Sequence, residues 1–322
     1  MESIKTLRAM TGAGLADVKK ALTEADGDMD RAKEILRERG QAIAAKRSDR
    51  ETSNGCVLVK SENGFSAMIA LKCETDFVAN GADYIKLTQE ILDAAVAAKA
   101  KSVDEVSNLT LANGQTVAAA VVERSGVTGE KMELDGYLFI EGENVSVYNH
   151  MNKNVLCTMV QTNKPAEEQA HAVAMQVAAM KPVALSEKDV DPAIIEEEKK
   201  VAAEKTKQEQ LQKAIDNKLK KAGINPAHVD SEDHMESNQA KGWITAEDVA
   251  KAKEIIASTT VEIPEQMLAG IVNGRVKKFY KESCLLNQEF IQDSKMSVSD
   301  YLKAADKDLT VVAFKRFSLQ AD

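Results

Sequence analysis

Four neighbouring residues, Thr75-Asp76-Phe77-Val78, have the clearest potential for recognition chemistry in this sequence. They follow an apolar run and precede an amphipathic run that begins near Asp83. A bulky aromatic residue beside a carboxylate is unusual at such a junction, because aromatic residues make up only 4% of the chain. Either Asp76 caps the next helix while Phe77 packs into the core, or Phe77 faces outwards and enters a pocket on another protein. Taken alone, these four residues favour the first interpretation.

Two histidines with acidic neighbours offer the donor atoms of a metal site. His228 and His234 lie close in sequence to Asp230, Glu232 and Asp233, and both imidazole and carboxylate are zinc ligands. A solvated acidic loop explains the same residues without a metal, and we favour it over a metal enzyme or hydrolase. The sequence also lacks a Walker A motif and a GxGxxG motif, so we expect no bound nucleotide, cofactor or metal, and no catalytic residues.

The composition is that of a globular protein with more than one domain. The 322 residues suffice for two or three cores, with 44% hydrophobic and 29% charged residues. A net charge of −9 argues against nonspecific binding to nucleic acid or to an anionic membrane, and favours a protein partner. The cysteines form no CxxC pair, which predicts free thiols in a reducing cytosol. The start, Met1-Glu2-Ser3-Ile4-Lys5, lacks the apolar core of a signal peptide, and no apolar run is long enough to cross a membrane, so we expect a cytoplasmic protein.

Residues 1–50 predict a small three-helix module, because apolar residues recur at helical spacing around two turns. Thr11-Gly12-Ala13-Gly14 forms the first turn, since glycine tolerates positive φ. Asp26-Gly27-Asp28 forms the second, and its last residue is placed to cap the third helix. We expect Gly40 to end that helix. A polar linker, residues 44–54, follows.

The next part of the chain predicts an α/β core built from one plan used twice. Two strand-like runs flank the turn Ser61-Glu62-Asn63-Gly64, which is typical of a hairpin, and a helix follows. Residues 137–140 and 145–148 flank another such turn and predict a second hairpin. A strand over Val155–Val160 and a helix over Ala166–Met180 follow. His171 lies on that helix, where packing is the expected role and a partner contact the alternative.

The fold class is therefore α+β and multidomain, with a charge-dense helical region inserted late in the chain. Thinly spaced apolar residues there are typical of a protruding helical coiled coil, which can pair within one chain or form a homodimer. Cys284-Leu285-Leu286 and Leu309–Phe314 predict strands that return to the core. The predicted domains are a three-helix module (1–50), a core N subdomain (51–155), a core C subdomain (156–190 and 280–322) and the helical region (191–279).

Five stretches, taken in order, resemble the elongation factor Ts family over nearly the whole chain. Several motifs in one order are far more specific than any one of them. The matching stretches are Leu7–Leu22, Thr75–Ala79, Tyr148-Asn149-His150, Ala174–Pro182 and Gly274–Tyr280.

The resemblance implies a guanine-nucleotide exchange factor for elongation factor Tu, acting without enzymatic chemistry of its own. It implies that the first module is ubiquitin-associated-like and docks on the partner's GTPase domain. It also implies that Thr75, Asp76, Phe77 and Val78 disturb the partner's Mg²⁺ and phosphate site, and that Phe77 is poorly buried in the free protein. The docking residues that it implies are Arg8, Thr11, Gly12, Gly14, Leu15, Lys19, His150 and His171.

Two departures limit what the resemblance carries over. Residues 207–262 have no counterpart in the usual short coiled-coil region, and the sequence stops soon after Phe317, where many relatives carry a further helix. Contacts of that helix are not expected here. The alternative function is a ubiquitin- or nascent-chain-type interaction module without exchange activity, which would leave the Asp76-Phe77 pair unexplained.

Overall fold

The computed structural model describes residues 2–320, apart from the side chain of Ala44. It is an α+β protein that divides into two compact units. One unit comprises Met1–Leu185 and Gln288–Asp322, and the other comprises Ser186–Asn287. Within the described residues, no helix is both long enough and apolar enough to cross a membrane.

The first unit begins with three helices, α1 (Glu2–Thr11), α2 (Leu15–Glu24) and α3 (Met29–Lys46). Their shared core includes the buried side chains of Leu7, Val18, Ala21, Ala32 and Ile35. Asp28 caps α3 as predicted, since its Oδ1 accepts a hydrogen bond from the Arg31 N–H at 2.8 Å. The three helices predicted for this part of the chain are therefore confirmed.

The prediction that Gly40 ends the third helix is wrong, because α3 continues to Lys46. Gly40 instead lies where α3 crosses a later helix, α7 (Val117–Thr128). A Cβ added to Gly126 of α7 would lie 2.2 Å from the Gly40 Cα, so the two backbones meet with no room for a side chain. Gly40 therefore allows α3 and α7 to approach closely, and it does not end α3.

A three-stranded antiparallel sheet follows, in the order β1 (Asn54–Glu62), β2 (Phe65–Cys73) and β3 (Met132–Glu141). The predicted β1–β2 hairpin is confirmed, with Glu62 opposite Phe65 at the turn. One face of the sheet packs against helix α5 in a core that includes Tyr84, Ile91 and Leu92. The helices between β2 and β3 are α4 (Asp76–Ala79), α5 (Ala82–Ala98), α6 (Val103–Asn108) and α7.

A second three-stranded sheet has the order β4 (Val145–Asn149), β5 (Leu156–Thr162) and β8 (Val311–Ser318). The predicted hairpin of residues 137–148 is wrong, since β3 pairs with β2 and β4 pairs with β5. The physical reason lies in β2, whose residues are buried on both faces. A local hairpin would leave the second face of the first sheet uncovered. The chain changes sheets instead, and Met68 of β2 and Met159 of β5 share one core.

Helix α8 (Glu167–Met180) covers the second sheet, and the predicted helix there is confirmed. The fully buried Gln176 of α8 accepts from the Ile291 N–H at 2.8 Å and donates to the Glu289 carbonyl at 3.0 Å. These bonds tie α8 to the small β-hairpin near the end of the chain. The remaining elements of this unit are β6 (Glu289–Phe290), β7 (Asp293–Ser297) and α13 (Val298–Ala305).

The second unit is helical, with α9 (Pro192–Lys221), α10 (Glu232–Ala240), α11 (Ala246–Ser258) and α12 (Glu265–Ser283). Residues 215–252 supply a separate apolar core for α10, α11 and the end of α9. The predicted strand at Cys284 is wrong. Its N–H donates to the Tyr280 carbonyl at 3.0 Å as the end of α12, and a 3₁₀ turn follows.

Candidate functional site

The tip formed by Thr75-Asp76-Phe77-Val78 lies where β2 leaves the first sheet and α4 begins. Thr75 has extended backbone angles, and its Oγ1 accepts a hydrogen bond from the Val78 N–H at 3.4 Å. The cap is therefore Thr75, and the interpretation in which Asp76 caps the helix is wrong. The Asn80 side chain donates to the Asp76 carbonyl at 2.8 Å and closes the turn. The tip is a single, capped helical turn.

Phe77 is 88% exposed, although it is one of only seven phenylalanines in the chain. Its neighbours are anchored, since Val78 is half-buried against the core of the first sheet and Ala79 is buried. The interpretation in which Phe77 packs into the core is wrong, and its predicted exposure is confirmed. The Phe77 ring is thus exposed to solvent, while the backbone on its C-terminal side is anchored to the core of the first sheet.

The Asp76 carboxylate lies in solvent beside this ring. No hydrogen bond or ion pair to that carboxylate occurs among residues 2–320. The tip therefore presents an apolar ring and a carboxylate next to each other in sequence. Within the described residues, the ring is not buried and the carboxylate has no hydrogen-bond or ion-pair partner. Such a pair fits a partner surface that combines an apolar pocket with a cation or N–H donor.

Buried polar groups hold the strand that leads into the tip. The Cys73 thiol donates to the Thr75 carbonyl at 3.2 Å, and the Tyr84 hydroxyl donates to the Leu71 carbonyl at 2.7 Å. Burial raises the pKa of the Cys73 thiol and of the Tyr84 hydroxyl. Both groups therefore stay protonated near neutral pH and keep the hydrogen that each bond requires.

Glu74 is a charged anchor that the sequence did not reveal. Its carboxylate accepts from the Lys131 N–H at 2.7 Å and pairs with Arg50 at 2.9 Å and Arg47 at 3.3 Å. These contacts lower the pKa of Glu74 to about 2. The hydrogen bond from the Lys131 N–H has the largest effect, and the bonds from Arg50 and Arg47 add to it. Both arginines lie in the stretch predicted as a linker, so the nearest sequence signal was its basic charge.

The predicted docking residues of the first module lie on and around the α1–α2 turn. Arg8 and Lys19 are exposed on the two helices, and Leu15 is 47% exposed at the start of α2. The Thr11 hydroxyl donates to the Leu7 carbonyl at 2.7 Å, and Gly12 has a φ of +67°. Thr11 and Gly12 therefore shape the turn, whereas the other side chains are available for contact.

Two further residues of this turn refine the predicted surface. Gly14 is the N-cap position of α2 in extended conformation and adds no side-chain bond. Met10 belongs to the apolar stripe of α1 but is 54% exposed rather than in the core. Sequence reasoning missed Met10 because its spacing from Ile4 and Leu7 is also that of a core residue.

The structure brings the two predicted docking histidines together around one tyrosine. Tyr148 of β4 bonds through its hydroxyl to His150 Nδ1 at 3.1 Å. Its ring also meets His171 of α8 edge-on, with 5.5 Å between ring centroids. His171 is exposed and the other two are half-buried. The expected packing role of His171 is thus replaced by membership in a surface aromatic cluster.

The acidic loop of the second unit has no metal-site geometry. The described residues include no group of three or more His, Cys, Asp or Glu that could hold a metal ion. His234 Nδ1 instead lies 2.5 Å from Asp230 Oδ1. His228 packs against Trp243, with 5.6 Å between ring centroids. Each histidine has a local partner of its own, and the two do not converge.

Comparison with known proteins gives matches along the whole chain. The family model described as Elongation factor TS matches residues 74–231 and 222–321. Proteins named Elongation factor Ts from Bacteroides fragilis and Bacteroides thetaiotaomicron are 62% and 60% identical, each over all of this chain and 99% of the relative. One with the same name from Porphyromonas gingivalis is 41% identical over all of this chain and 98% of the relative.

Proposed function

The chain belongs to the elongation factor Ts family, and we propose that it is a guanine-nucleotide exchange factor that binds elongation factor Tu·GDP and promotes GDP release. The observation that carries this proposal is the 88% exposed Phe77 on a capped, anchored turn. An apolar side chain exposed to solvent on a turn that is capped and anchored to the core is suited to insertion into a partner. We assign to it the displacement of the partner's elements that hold Mg²⁺ and phosphate.

The energies are of the right size for such a wedge. Burying a phenylalanine contributes about 1.5–3 kcal/mol, and about 1.4 kcal/mol corresponds to tenfold in an equilibrium constant. GDP·Mg²⁺ is held by charge and by loop amides, so a small displacement weakens many contacts together. Insertion of Phe77 alone would then lower nucleotide affinity by about one to two decades, and the wider interface would supply the rest.

Thermodynamic linkage explains why such a factor is released after each cycle. If bound factor weakens nucleotide binding, bound nucleotide weakens factor binding by the same ratio. No covalent bond forms or breaks in the exchange, so the proposed function requires no general acid or base. We therefore describe the protein as a non-enzymatic factor acting on a GTPase in the cytoplasm, with no direct role for nucleic acid or membrane.

The remaining predicted residues are assigned to docking. The exposed apolar and cationic side chains at the α1–α2 turn, Met10, Leu15, Arg8 and Lys19, suit a surface with an apolar centre and a charged rim. Thr11, Gly12 and Gly14 shape that turn. We propose the cluster of Tyr148, His150 and His171 as a separate contact region, and a homodimer through the helical region as an additional assembly.

The test is the release of fluorescently labelled GDP from elongation factor Tu, measured with increasing amounts of this protein and an excess of unlabelled GDP. The proposal expects release to accelerate with concentration and then reach a plateau. Absence of any acceleration at micromolar concentration would refute it. Elongation factor Tu already stripped of nucleotide provides the control, because it reports binding of this protein without exchange.

One alternative deserves a test because Met10 and Leu15 are exposed. That surface also suits a ubiquitin- or nascent-chain-type interaction module without exchange activity. Binding to elongation factor Tu with no acceleration of GDP release would favour this alternative. The Phe77 tip separates the two functions, since a simple docking module gives no reason for its position.

A further inference from the structure

The backbone ladder between β2 and β3 ends immediately before the tip. Cys73 and Met132 are its last paired residues. The next positions along the two strands are Glu74 and Thr75 on one side, and Lys131 and Glu130 on the other. Continued backbone pairing there would leave Thr75 as an ordinary strand residue, unable to start a helix.

Carboxylates replace the missing carbonyl acceptors at these positions, in an arrangement we call the carboxylate clamp. Glu74 accepts from the Lys131 N–H at 2.7 Å. In the reciprocal direction, Glu130 accepts from the Thr75 N–H at 3.1 Å and from the Thr75 hydroxyl at 2.6 Å. The clamp thus consists of Glu74, Thr75, Glu130 and Lys131, and it joins the strands by side chains where their backbones part.

The bond from Thr75 to Glu130 also orients the helix cap. A threonine hydroxyl has one hydrogen and two lone pairs. Because its hydrogen is donated to Glu130 Oε1, a lone pair is left for the Val78 N–H, which donates to the same oxygen at 3.4 Å. The carboxylate therefore selects the rotation of the hydroxyl that caps the turn carrying Phe77.

Glu130 is itself held by hydrogen bonds to the end of α7. It follows Gly129, which ends α7 with a φ of +70°. Its N–H donates to Thr128 Oγ1 at 3.3 Å, and its carbonyl accepts from the Ser125 hydroxyl at 2.5 Å. Ser125 is only 2% exposed. These bonds fix the backbone from which the Glu130 carboxylate extends. Movement of the end of α7 would therefore also move the carboxylate that bonds to Thr75.

We propose that Glu130 is a positioning residue for nucleotide exchange, which acts through Thr75 to set the direction in which Phe77 is presented. The inference rests on the proposed function. The Glu130 bonds to Thr75 are exposed to solvent, so we expect them to contribute less to overall stability than to orientation. Orientation matters more, because a displacement of about 1 Å at a working group reduces rates by up to about 100-fold.

The experiment measures labelled-GDP release from elongation factor Tu over a range of factor concentrations, for wild type, Glu130→Ala and Glu130→Gln. We expect Glu130→Ala to lower the plateau rate about tenfold while the half-saturating concentration changes less than about threefold. Glu130→Gln should retain part of the rate, since its single carbonyl oxygen accepts one of the two bonds. A plateau within about twofold of wild type for both variants would overturn the proposal.

Glu105→Ala is the matched control. Glu105 also accepts a backbone bond, from the Lys101 N–H at 2.7 Å, but it lies on α6 rather than beside the tip. Its plateau rate should stay at the wild-type value. Thermal unfolding of all variants identifies any loss of fold, and Glu130→Gln keeps the test valid if Glu130→Ala does not fold. Equal plateau losses for Glu105→Ala and Glu130→Ala would contradict a specific role.

A double variant tests whether Glu130 acts through Phe77. If it does, Phe77→Ala with Glu130→Ala should have the plateau rate of Phe77→Ala alone, since groups acting as a unit are not additive. Independent, multiplying losses would overturn the inference. Failure of the proposed function is distinguishable, because wild type itself would then not accelerate release. If wild type accelerates release and Phe77→Ala slows it while Glu130→Ala does not, only the inference fails.

Discussion

Two exposed aromatic side chains, Phe77 in the first unit and Trp243 in the second, differ in what surrounds them. Trp243 is 62% exposed, yet its ring packs against His228 and lies 5.0 Å from the Lys241 Nζ. Phe77 is 88% exposed and has no ring or cation partner among the described residues. Trp243 therefore has local partners for its ring, and Phe77 has none among the described residues. Exposure alone therefore does not distinguish the two rings, whereas the presence or absence of a local ring or cation partner does.

The largest expected effect separates an exposed phenylalanine from a buried one. Phe65 is fully buried in the first sheet and stacks on Phe139 at 5.6 Å between ring centroids. Phe65→Ala should lower the free energy of unfolding by about 3–5 kcal/mol, because it leaves a cavity. Phe77→Ala should lower it by less than about 0.5 kcal/mol. Urea unfolding followed by circular dichroism measures both, and a large loss for Phe77→Ala would show that its ring is used in the fold.

A smaller effect is expected at the base of the tip, and it depends on pH. The folded-state pKa of Glu74 is about 2 against an ordinary value of 4.5, chiefly because the Lys131 N–H bonds to the carboxylate. A lowered pKa means that the ionised form stabilises the fold above about pH 4.5, and that this contribution is lost as pH falls towards about 2. Glu74→Gln should be less stable than wild type near neutral pH.

The same variant should lose less stability than wild type between pH 4.5 and pH 2, the interval between the two pKa values. Thermal unfolding at several pH values checks this prediction. Asp300→Asn serves as the control, because the pKa of Asp300 is also lowered, by the Ser297 hydroxyl, at a site remote in sequence from the tip. Parallel curves for wild type and Glu74→Gln would contradict the role of Glu74 as a charged anchor.

The smallest effect concerns the ring that the chain satisfies by itself. Trp243→Ala removes the contact with His228 and the cation–π contact with Lys241, which together are expected to stabilise by about 1 kcal/mol. Trp243→Phe is the second variant. It keeps an aromatic ring at the position of the only tryptophan and should restore most of that loss. Urea unfolding of the two variants provides the measurement. An unchanged free energy of unfolding in Trp243→Ala would show that the contacts of this ring with His228 and Lys241 do not stabilise the fold.

Local patterns predicted the three helices of the first module, the helix over Ala166–Met180 and the first hairpin. Asp28 as a cap, the turn between α1 and α2, and the β1–β2 hairpin all depend on residues a few positions apart, and the structure contains each of them. The errors arose where distant contacts decide. Gly40 is read locally as a helix end, but its neighbour is Gly126, far away along the sequence. The second hairpin failed because β2 needs cover on both faces.

The candidate site shows the same division. The position and exposure of Phe77 were predicted from the resemblance, whereas the residue that caps its turn was not. Whether Thr75 or Asp76 caps α4 depends on the register at the end of β2. The β2–β3 pairing ends at Cys73, and Thr75 bonds instead to Glu130, 55 positions further along the chain. Nothing in the spacing around Thr75 indicates an acceptor at that distance, so the clamp could only be seen in three dimensions.

The central claim is that the unpartnered ring of Phe77 promotes nucleotide release. Its most direct test compares wild type, Phe77→Ala and Trp243→Ala in the release of labelled GDP from elongation factor Tu at saturating factor. We expect a plateau rate about 10–100-fold lower for Phe77→Ala, from about 1.5–3 kcal/mol of lost burial, and a rate within about twofold of wild type for Trp243→Ala. A Phe77→Ala plateau within about twofold of wild type would contradict it.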